Sequence, residues 1–355
     1  MSTSTRSFAR SLLFVVAMME IVTFHRGALA DEIREQRSSA GEARSSSASL
    51  VSRQRNLGVM GTDLVLEAVG SDAAQLDRAL DAAIAELRRV EDLMTDWRDS
   101  PLTELNHAAG AGWVEVDREL TELIQRALAL GRLTEGAFDI SYAGAGQLWD
   151  FKTEISALPA PLQITQALAN VGWARVRVDA TRSRVQLPAG MKLGLGGIAK
   201  GYGVDRAMAV LMQHGVEHAM VNAGGDMKLL GRRFGEPWEV AIKHPRDREL
   251  AIAALRLSNV SVVTSGDYER FFELDGRRYH HIIDPRTGYP ATGAMAATVI
   301  APQAELADAL ATALCVMQPE PALALIEDMP RTEAILVGLD GVIHASSGLA
   351  KSVRP

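Results

Sequence analysis

The stretch SVVTSGDYERFFELDGRRYHHIID, residues 261–284, has strand-forming side chains on both sides of an Asp275-Gly276 pair. An Asp-Gly pair between two such runs is a strong short-range signal for a β-hairpin, because both residues tolerate the left-handed backbone of a tight turn. The stretch therefore predicts a pair of antiparallel strands around this turn. Near its end it also contains two adjacent histidines, His280 and His281, which a hairpin does not require.

Hairpins and helices alternate along the rest of the chain. Alternating apolar residues predict hairpins in residues 175–187 and 333–346, and residues 59–70 are predicted to form one strand. Apolar residues at helical spacing predict a helix capped by Ser71, a helix closed by Gly136, a helix over residues 201–215 and a buried helix over residues 305–317. Hairpins are frequent and βαβ units few. The predicted fold class is therefore α+β, with mixed, largely antiparallel sheets flanked by helices.

The composition, net charge and cysteine count limit the kinds of protein that this chain can be. Of the 355 residues, 47% are hydrophobic and 23% are charged, which is typical of a globular protein with a large core. The net charge of −7 argues against nucleic acid as a partner. The single cysteine, Cys315, lies in an apolar run, so it cannot form an internal disulfide and is expected to be buried.

The first 30 residues have the pattern of a signal peptide. Arg6 and Arg10 precede the apolar run 12–19, and Ala28-Leu29-Ala30 predicts cleavage before Asp31. The protein is therefore expected to be exported, to the periplasm or the periplasmic face of the inner membrane. A retained segment that holds it loosely at that membrane is the alternative, although eight apolar residues are short for a span. Residues 31–56 are rich in Ser and Arg and predict a flexible polar tether, so the folded domain is expected over residues 57–355.

Glycine-rich turns occur in four separated segments. In LGLGGIAKGYGVD, residues 193–205, glycine backbone and Lys200 precede a helix, an arrangement that can bring amides and a cation to a phosphate. The others are residues 135–151, 222–231 and 264–268. Each could serve only tight packing, and Asp226 could simply cap its own turn. Together they favour backbone folded closely around a ligand.

The predicted apolar helix ELADALATALCVM, residues 305–317, carries two oxygen-bearing side chains on one face. Asp308 and Thr312 are four residues apart and must find partners in apolar surroundings. A hard cation such as Mg²⁺ takes oxygen ligands and is usually shared with phosphates. A hydrogen-bond network at the helix end is the alternative.

The sequence resembles the FAD:protein FMN transferases, the ApbE family. The matching segments occur in the family's order from Met60 to Thr312. They are VMGT, DSPLTELN, EGAFDIS followed by LW, LGGIAKGYGVD, VNAGGD, TSGDYER, HHIIDPRTGYP and ADALAT.

This resemblance implies a two-lobed fold with FAD in the cleft and Mg²⁺ on its pyrophosphate. It implies transfer of the FMN moiety to a Thr or Ser hydroxyl of an acceptor redox subunit, through a phosphoester bond, with release of AMP. His281 would be the general base and His280 structural. The metal would lie between the main-chain oxygen of Gly197, Asp308 and Thr312. The residues implied to contact FAD are Met60, Trp97, Ala137, Phe138, Asp139, Lys200 and Ile282, and the main chain of Gly194, where the family often has Asp.

Two other functions remain open at this stage. The same site with water in place of the acceptor hydroxyl would be a metal-dependent FAD pyrophosphatase that yields FMN and AMP. A non-catalytic periplasmic flavin-binding protein is the other alternative. Loss of His281, Asp308 or Thr312 would favour it, and all three are present.

Overall fold

The computed structural model describes residues 49–151, 157–247 and 249–352. Residues from Leu50 onward form one compact unit. The predicted signal peptide and the predicted tether up to residue 48 lie outside the described residues. Within the described ranges, no helix has the length and apolar character needed to cross a bilayer.

The strands form one large sheet and three small ones. In chain order they are β1 (Val51–Val59), β2 (Thr62–Gly70), β3 (Trp113–Glu115), β4 (Arg177–Asp179), β5 (Arg184–Gln186), β6 (His218–Ala223), β7 (Asp226–Leu230), β8 (Trp238–Lys243), β9 (Ala251–Leu257), β10 (Ser261–Gly266), β11 (Phe271–Leu274), β12 (Arg277–His280), β13 (Ala294–Ala301), β14 (Glu333–Gly338) and β15 (Ile343–Ala345). The large sheet has the order β1-β2-β6-β7-β10-β13-β14-β15, and every pairing in it is antiparallel.

The helices are α1 (Ala73–Met94), α2 (Pro101–His107), α3 (Arg118–Leu133), α4 (Ala143–Gly146), α5 (Pro161–Leu168), α6 (Ala199–Gln213), α7 (Ala304–Val316) and α8 (Pro319–Glu327). Helices α1, α6, α7 and α8 pack on the large sheet. The long helices α1, α6 and α7 carry the main core, because their apolar faces meet each other and the sheet. Gly201 lets α6 approach α7 closely, since a Cβ there would collide with the carbonyl of Ala304.

Two smaller apolar clusters complete the fold. The hairpin β8–β9 packs Trp238, Val240 and Leu255 against the other face of the large sheet. The hairpin β11–β12 lies apart from that sheet and buries Tyr279 with Trp149 in an aromatic cluster. The mixed, largely antiparallel α+β prediction is confirmed. The cleft described below lies between the main core and the aromatic cluster.

Residues 59–70 do not form the single strand that the sequence predicts. They contain a two-residue turn at Met60-Gly61, with φ of 54° and 70°, that joins β1 to β2. Both turn residues therefore have left-handed backbone, which matches the twist of a hairpin but is uncommon for methionine. The local pattern missed the turn because Met60 gives no turn signal.

Two further predictions are wrong in detail. Residues 261–284 form three strands, because β10 stays in the large sheet while β11 and β12 leave it as a separate hairpin. Helix α1 is capped by Asp72 rather than Ser71, since Asp72 Oδ1 accepts the amides of Ala74 and Gln75 at 2.9 and 3.0 Å.

The predicted boundary between tether and domain at residue 57 is also wrong. Strand β1 begins at Val51 and pairs with β2 along its whole length. Arg55 forms ion pairs with Asp77 and Asp81 of α1, and Ser52 donates to Glu67 at 2.8 Å. The polar composition of this segment suits an edge strand, whose outward face is solvated.

Removing the first part of β1 is expected to destabilise the domain. A protein that starts at Leu57 loses Val51–Asn56 and their cross-strand pairs, whereas one that starts at Leu50 keeps all of β1. At roughly 0.2–1 kcal/mol for each pair, the free energy of unfolding should fall by about 1–6 kcal/mol. Urea denaturation of the two proteins measures the difference. Equal midpoints would show that this part of β1 adds nothing to stability.

Candidate active site

A cavity of about 440 Å³ lies between the main core and the aromatic cluster. Its size is typical of sites for small organic ligands. Every site residue singled out from the sequence lies in its wall: Met60, Trp97, Ala137, Phe138, Asp139, Gly194, Gly197, Lys200, His281, Ile282, Asp308 and Thr312.

Much of the wall comes from the ends of regular elements, whereas Asp308 and Thr312 project from within α7. Met60 belongs to the β1–β2 turn, and Ala137–Asp139 follow α3. The glycine segment 194–197 leads into α6, and His281 follows β12 directly. These positions bring distant parts of the chain into one cavity, because the strands and helices that end there are fixed by the core.

Gly197, Asp308 and Thr312 are brought together at the contact of α6 with α7. A Cβ on Gly197 would lie 3.1 Å from Thr312 Oγ1 and 3.2 Å from the Phe138 ring. Asp308 is almost completely buried, and its Oδ2 accepts the amide of Gly201 at 3.0 Å. A carbonyl, a carboxylate and a hydroxyl thus share one part of the cavity wall.

Lys200 lies on a pair of buried carboxylates. Its Nζ is 2.5 Å from Asp226 Oδ2 and 3.7 Å from Asp308 Oδ1. Burial, and then the charge of Asp308, raise the pKa of Asp226 well above its usual range. Burial opposes the charge of Lys200, but the two carboxylates outweigh it and raise the pKa of the ammonium. Asp226 Oδ1 is buried and accepts no hydrogen bond from the described residues.

Asp226 is the residue that sequence reasoning missed. Its expected role was to cap the turn before β7, but Asn222 does this, since its Oδ1 accepts the Gly225 amide at 2.9 Å. The available signal was its place at the start of a strand that packs on α6 and α7, where a carboxylate needs a partner.

His281 lies in the cavity wall and is partly buried. Its main-chain amide donates to the Arg270 carbonyl at 3.0 Å. Burial, then the neighbouring charges of His280 and Arg270, lower the pKa of His281 to about 4. The imidazole is therefore neutral near pH 7. Its Nδ1 is buried without a partner among the described residues.

His280 occupies a different environment from its neighbour. It is buried, and its Nε2 lies 2.9 Å from the carbonyl oxygen of Ala291. Burial also lowers its pKa. This hydrogen bond ties the end of β12 to the loop before β13, which agrees with a structural role.

Three other predicted residues have clear local surroundings. The Asp139 carboxylate accepts the Ser141 amide and hydroxyl and the Trp173 amide, so it holds the loop and offers the cavity mainly backbone. Trp97 is 57% exposed at the rim, where a flat ligand can stack on it. A Cβ on Gly194 would lie 3.7 Å from Asp96 Oδ2, which places a carboxylate beside the position where the family often has Asp.

The described residues contain no group of three or more His, Cys, Asp and Glu placed to hold a metal ion. This excludes a zinc-type cluster in that part of the chain. It is compatible with Mg²⁺, which binds through one or two carboxylates and shares its other positions with water, carbonyls and phosphate.

Comparison with known proteins gives a consistent result. The ApbE family profile matches residues 60–336. The FAD:protein FMN transferase of Treponema pallidum is 37% identical over 300 residues, covering 79% of this chain and 83% of the relative. That of Klebsiella pneumoniae is 36% identical over 293 residues, covering 81% and 90%. The crystal structure of the ApbE protein from Thermotoga maritima superposes with a TM-score of 0.76 at 36% identity, covering 86% of this chain and 100% of that one.

Fold, cavity and relatives define the chain as an α+β enzyme of the transferase class. The chain belongs to the ApbE family. The family and the enzyme class predicted from the sequence motifs are thus confirmed.

Proposed function

We propose that this protein transfers the FMN moiety of FAD to a Thr or Ser hydroxyl of an acceptor protein, forming a phosphoester and releasing AMP. The observation that carries the proposal is His281, an imidazole that is neutral near pH 7 and lies in one cavity with Asp308 and Thr312. The names of the relatives support the flavin substrate and the protein acceptor.

FAD would be held by contacts of different kinds. The apolar side chains Met60, Phe138 and Ile282 suit the flavin and adenine rings, and Trp97 suits stacking at the rim. The backbone of Ala137, Asp139 and the glycine segment 194–197 can approach the nucleotide closely.

The residues present fit a magnesium ion. Gly197 through its carbonyl, Asp308 through its carboxylate and Thr312 through its hydroxyl would hold it, since all three lie in the cavity wall and Thr312 is next to Gly197. When bound, Mg²⁺ would offset the charge of the pyrophosphate. Lys200 keeps Asp226 and Asp308 in place and balances part of their charge.

His281 would act as the general base. A Thr hydroxyl is a poor nucleophile until its proton is taken in the transition state. His281 is neutral near pH 7 and lies in the cavity wall, so its ring would take that proton as the oxygen attacks.

The acceptor and the location of the protein are also part of this proposal. From the pattern of residues 1–30 we infer export to the periplasm or the periplasmic face of the inner membrane. A redox subunit of the same compartment would be the acceptor. Finding the protein in the periplasmic fraction, with a new N-terminus at Asp31, would support this, and a cytoplasmic full-length chain would contradict it.

Mass spectrometry tests the reaction itself. The protein is incubated with FAD, Mg²⁺ and fragments of exported redox subunits, with each candidate Thr or Ser also replaced by Ala. We expect a covalent FMN adduct that disappears with the Ala fragment, and one AMP for each adduct. FMN and AMP without an adduct would indicate a pyrophosphatase, and bound FAD without turnover a flavin-binding protein.

The rate of flavin transfer is expected to stay constant as the pH falls from 8 to about 5.5. A base works only when deprotonated, so its activity falls as the pH drops through its pKa, and burial has moved the pKa of His281 to about 4. An unperturbed histidine would lose about tenfold in kcat/KM by pH 5.5. Measurements of kcat/KM across this range at fixed Mg²⁺ decide the point. A tenfold loss would show that the base is solvated or is another group.

A further inference from the structure

The cavity contains few cations for a site that is to bind a pyrophosphate. The acidic side chains among its described lining residues are Glu91, Asp96, Asp139, Glu269 and Asp308, whereas the permanently positive ones are Lys200 and Arg270. His281 is neutral near pH 7. The stabilisation of the negative charge that develops during phosphoryl transfer therefore depends on these two cations and on any bound metal.

The ammonium of Lys200 is already paired with acidic side chains of the protein. Its ammonium lies between Asp226 and Asp308, whose side chains are almost completely buried. Moving it to a phosphate would break its ion pair with the buried Asp226, which is costly. The charge of Lys200 is therefore balanced by acidic side chains of the protein and is not available to a ligand.

Arg270 has no such commitment. It lies in the connection between β10 and β11, in the cavity wall, and its side chain is exposed. One guanidinium nitrogen lies 3.4 Å from the carbonyl of Gly61, at the long end for a hydrogen bond. Within the described residues its guanidinium forms no ion pair. The remaining donors are free for a ligand.

Arg270 is also joined directly to His281. The carbonyl of Arg270 accepts the amide of His281 at 3.0 Å, so the two residues keep a fixed relation. The positive charge of Arg270 acts on two other residues of the cavity wall. It contributes to the lowering of the pKa of His281, and it partly offsets the rise that burial causes in the pKa of the Tyr142 phenol. The main chains of His281 and Arg270 are thus in direct contact, and both residues line the cavity.

We propose that Arg270 is a catalytic residue whose guanidinium binds the non-bridging oxygens of the phosphoryl group being transferred. This rests on the proposed function. In the step, the acceptor oxygen forms a bond to the phosphorus of the FMN half, and its proton passes to His281. The bond from that phosphorus to the bridging oxygen breaks, and its electron pair leaves with AMP. Arg270 stabilises the charge on the oxygens that remain on phosphorus.

Arginine suits this task better than lysine. Its planar guanidinium offers parallel donors that match two phosphate oxygens, and its charge does not depend on pH. Arginines that act in this way in other phosphoryl-transfer enzymes contribute about 10³–10⁵-fold in rate. The test therefore compares Arg270→Gln with Arg270→Lys, with Arg277→Gln as a matched control, because Arg277 is an exposed arginine on the same hairpin.

Three measurements are made on the full chain: the single-turnover rate at saturating FAD and acceptor, the Kd for FAD, and the rate with added guanidinium ion. We expect Arg270→Gln to lower the rate by about 10²–10³-fold, as loss of one transition-state donor does, with the Kd within threefold of the parent protein. Guanidinium should restore part of the Gln variant's rate, Arg270→Lys should lie between, and Arg277→Gln should match the parent.

Other results would overturn the inference. A rate for Arg270→Gln within fivefold of the parent would show that the guanidinium is not needed. A weaker Kd with an unchanged saturating rate would make Arg270 a ground-state FAD contact. Arg270→Gln and Arg270→Lys could both lose rate, show no rescue by guanidinium ion and have a lower urea midpoint. That result would assign Arg270 a structural role through its contact with the Gly61 carbonyl. If the parent cleaves FAD without forming an adduct, the proposed function fails. The rate of FAD cleavage by the Arg270 variants would then test the role of Arg270, because cleavage breaks the same bond between the phosphorus of the FMN half and the bridging oxygen.

Discussion

Replacing His281 by alanine is expected to lower the rate of flavin transfer by about 10²–10⁴-fold, the usual contribution of a general base. The affinity for FAD should stay within a few-fold of the parent, because the groups proposed to hold the nucleotide are the metal site, the glycine backbone and the apolar wall. A transfer assay and a direct FAD titration on the same preparation separate the chemical step from binding. The pH profile of the residual activity should also lose its limb near pH 4.

His280→Asn is the matched control for this prediction. Its ring is buried and bonds to the carbonyl of Ala291, so the change should lower stability more than the rate for each folded molecule. If His281→Ala transfers FMN within a few-fold of the parent rate, the base lies elsewhere. Asp284, in the turn that follows, would be the next candidate, although both of its carboxylate oxygens already accept from Arg286.

Asp308→Asn is expected to weaken FAD binding in the presence of Mg²⁺ by at least about 100-fold, since even loss of an outer contact to a metal ligand costs 10–100-fold. Asparagine keeps the shape of the side chain and an oxygen for the Gly201 amide, but it removes the negative charge. FAD affinity is measured by isothermal titration for the parent and for the variant, each with Mg²⁺ and with EDTA. The four dissociation constants separate the effect of the metal from the effect of the substitution. With EDTA the two proteins should bind FAD equally weakly.

The control for these titrations is Asp328→Asn, an exposed carboxylate just after α8 that should change nothing. The outcome that decides against the metal is simple. If the parent binds FAD with the same affinity in Mg²⁺ and in EDTA, the oxygen ligands at Gly197, Asp308 and Thr312 have another purpose. A loss of FAD affinity in the variant that persists in EDTA would make Asp308 a structural residue.

Several features followed from local sequence alone. The Asp275-Gly276 turn and the alternating runs around it predicted the β11–β12 hairpin, because two-residue turns depend on the backbone preferences of the turn residues themselves. The apolar spacing in residues 305–317 predicted a buried helix, and Asp308 and Thr312 lie four residues apart on it as helix geometry requires. The order of the motifs indicated the family, which the comparisons confirm.

Other features needed the assembled chain. The turn at Met60-Gly61 has no turn residue in its first position, and β1 begins in a polar segment that is stabilised by pairing with β2. Neither can be read from local preference. Both are imposed by the hairpin twist and by contacts with α1, such as the ion pair of Arg55 with Asp81.

The chemistry of the cavity depends most on residues far apart in sequence. Lys200 meets Asp226 across 26 positions, and Gly201 meets Asp308 across 107. A pKa is set by burial and by neighbouring charges, which are properties of the folded surroundings rather than of the residue type. The sequence could therefore name His281 as a base by family resemblance. The fold buries it, so that its ring is neutral near pH 7, and places Arg270 beside it, because separate segments of the chain close around one cavity.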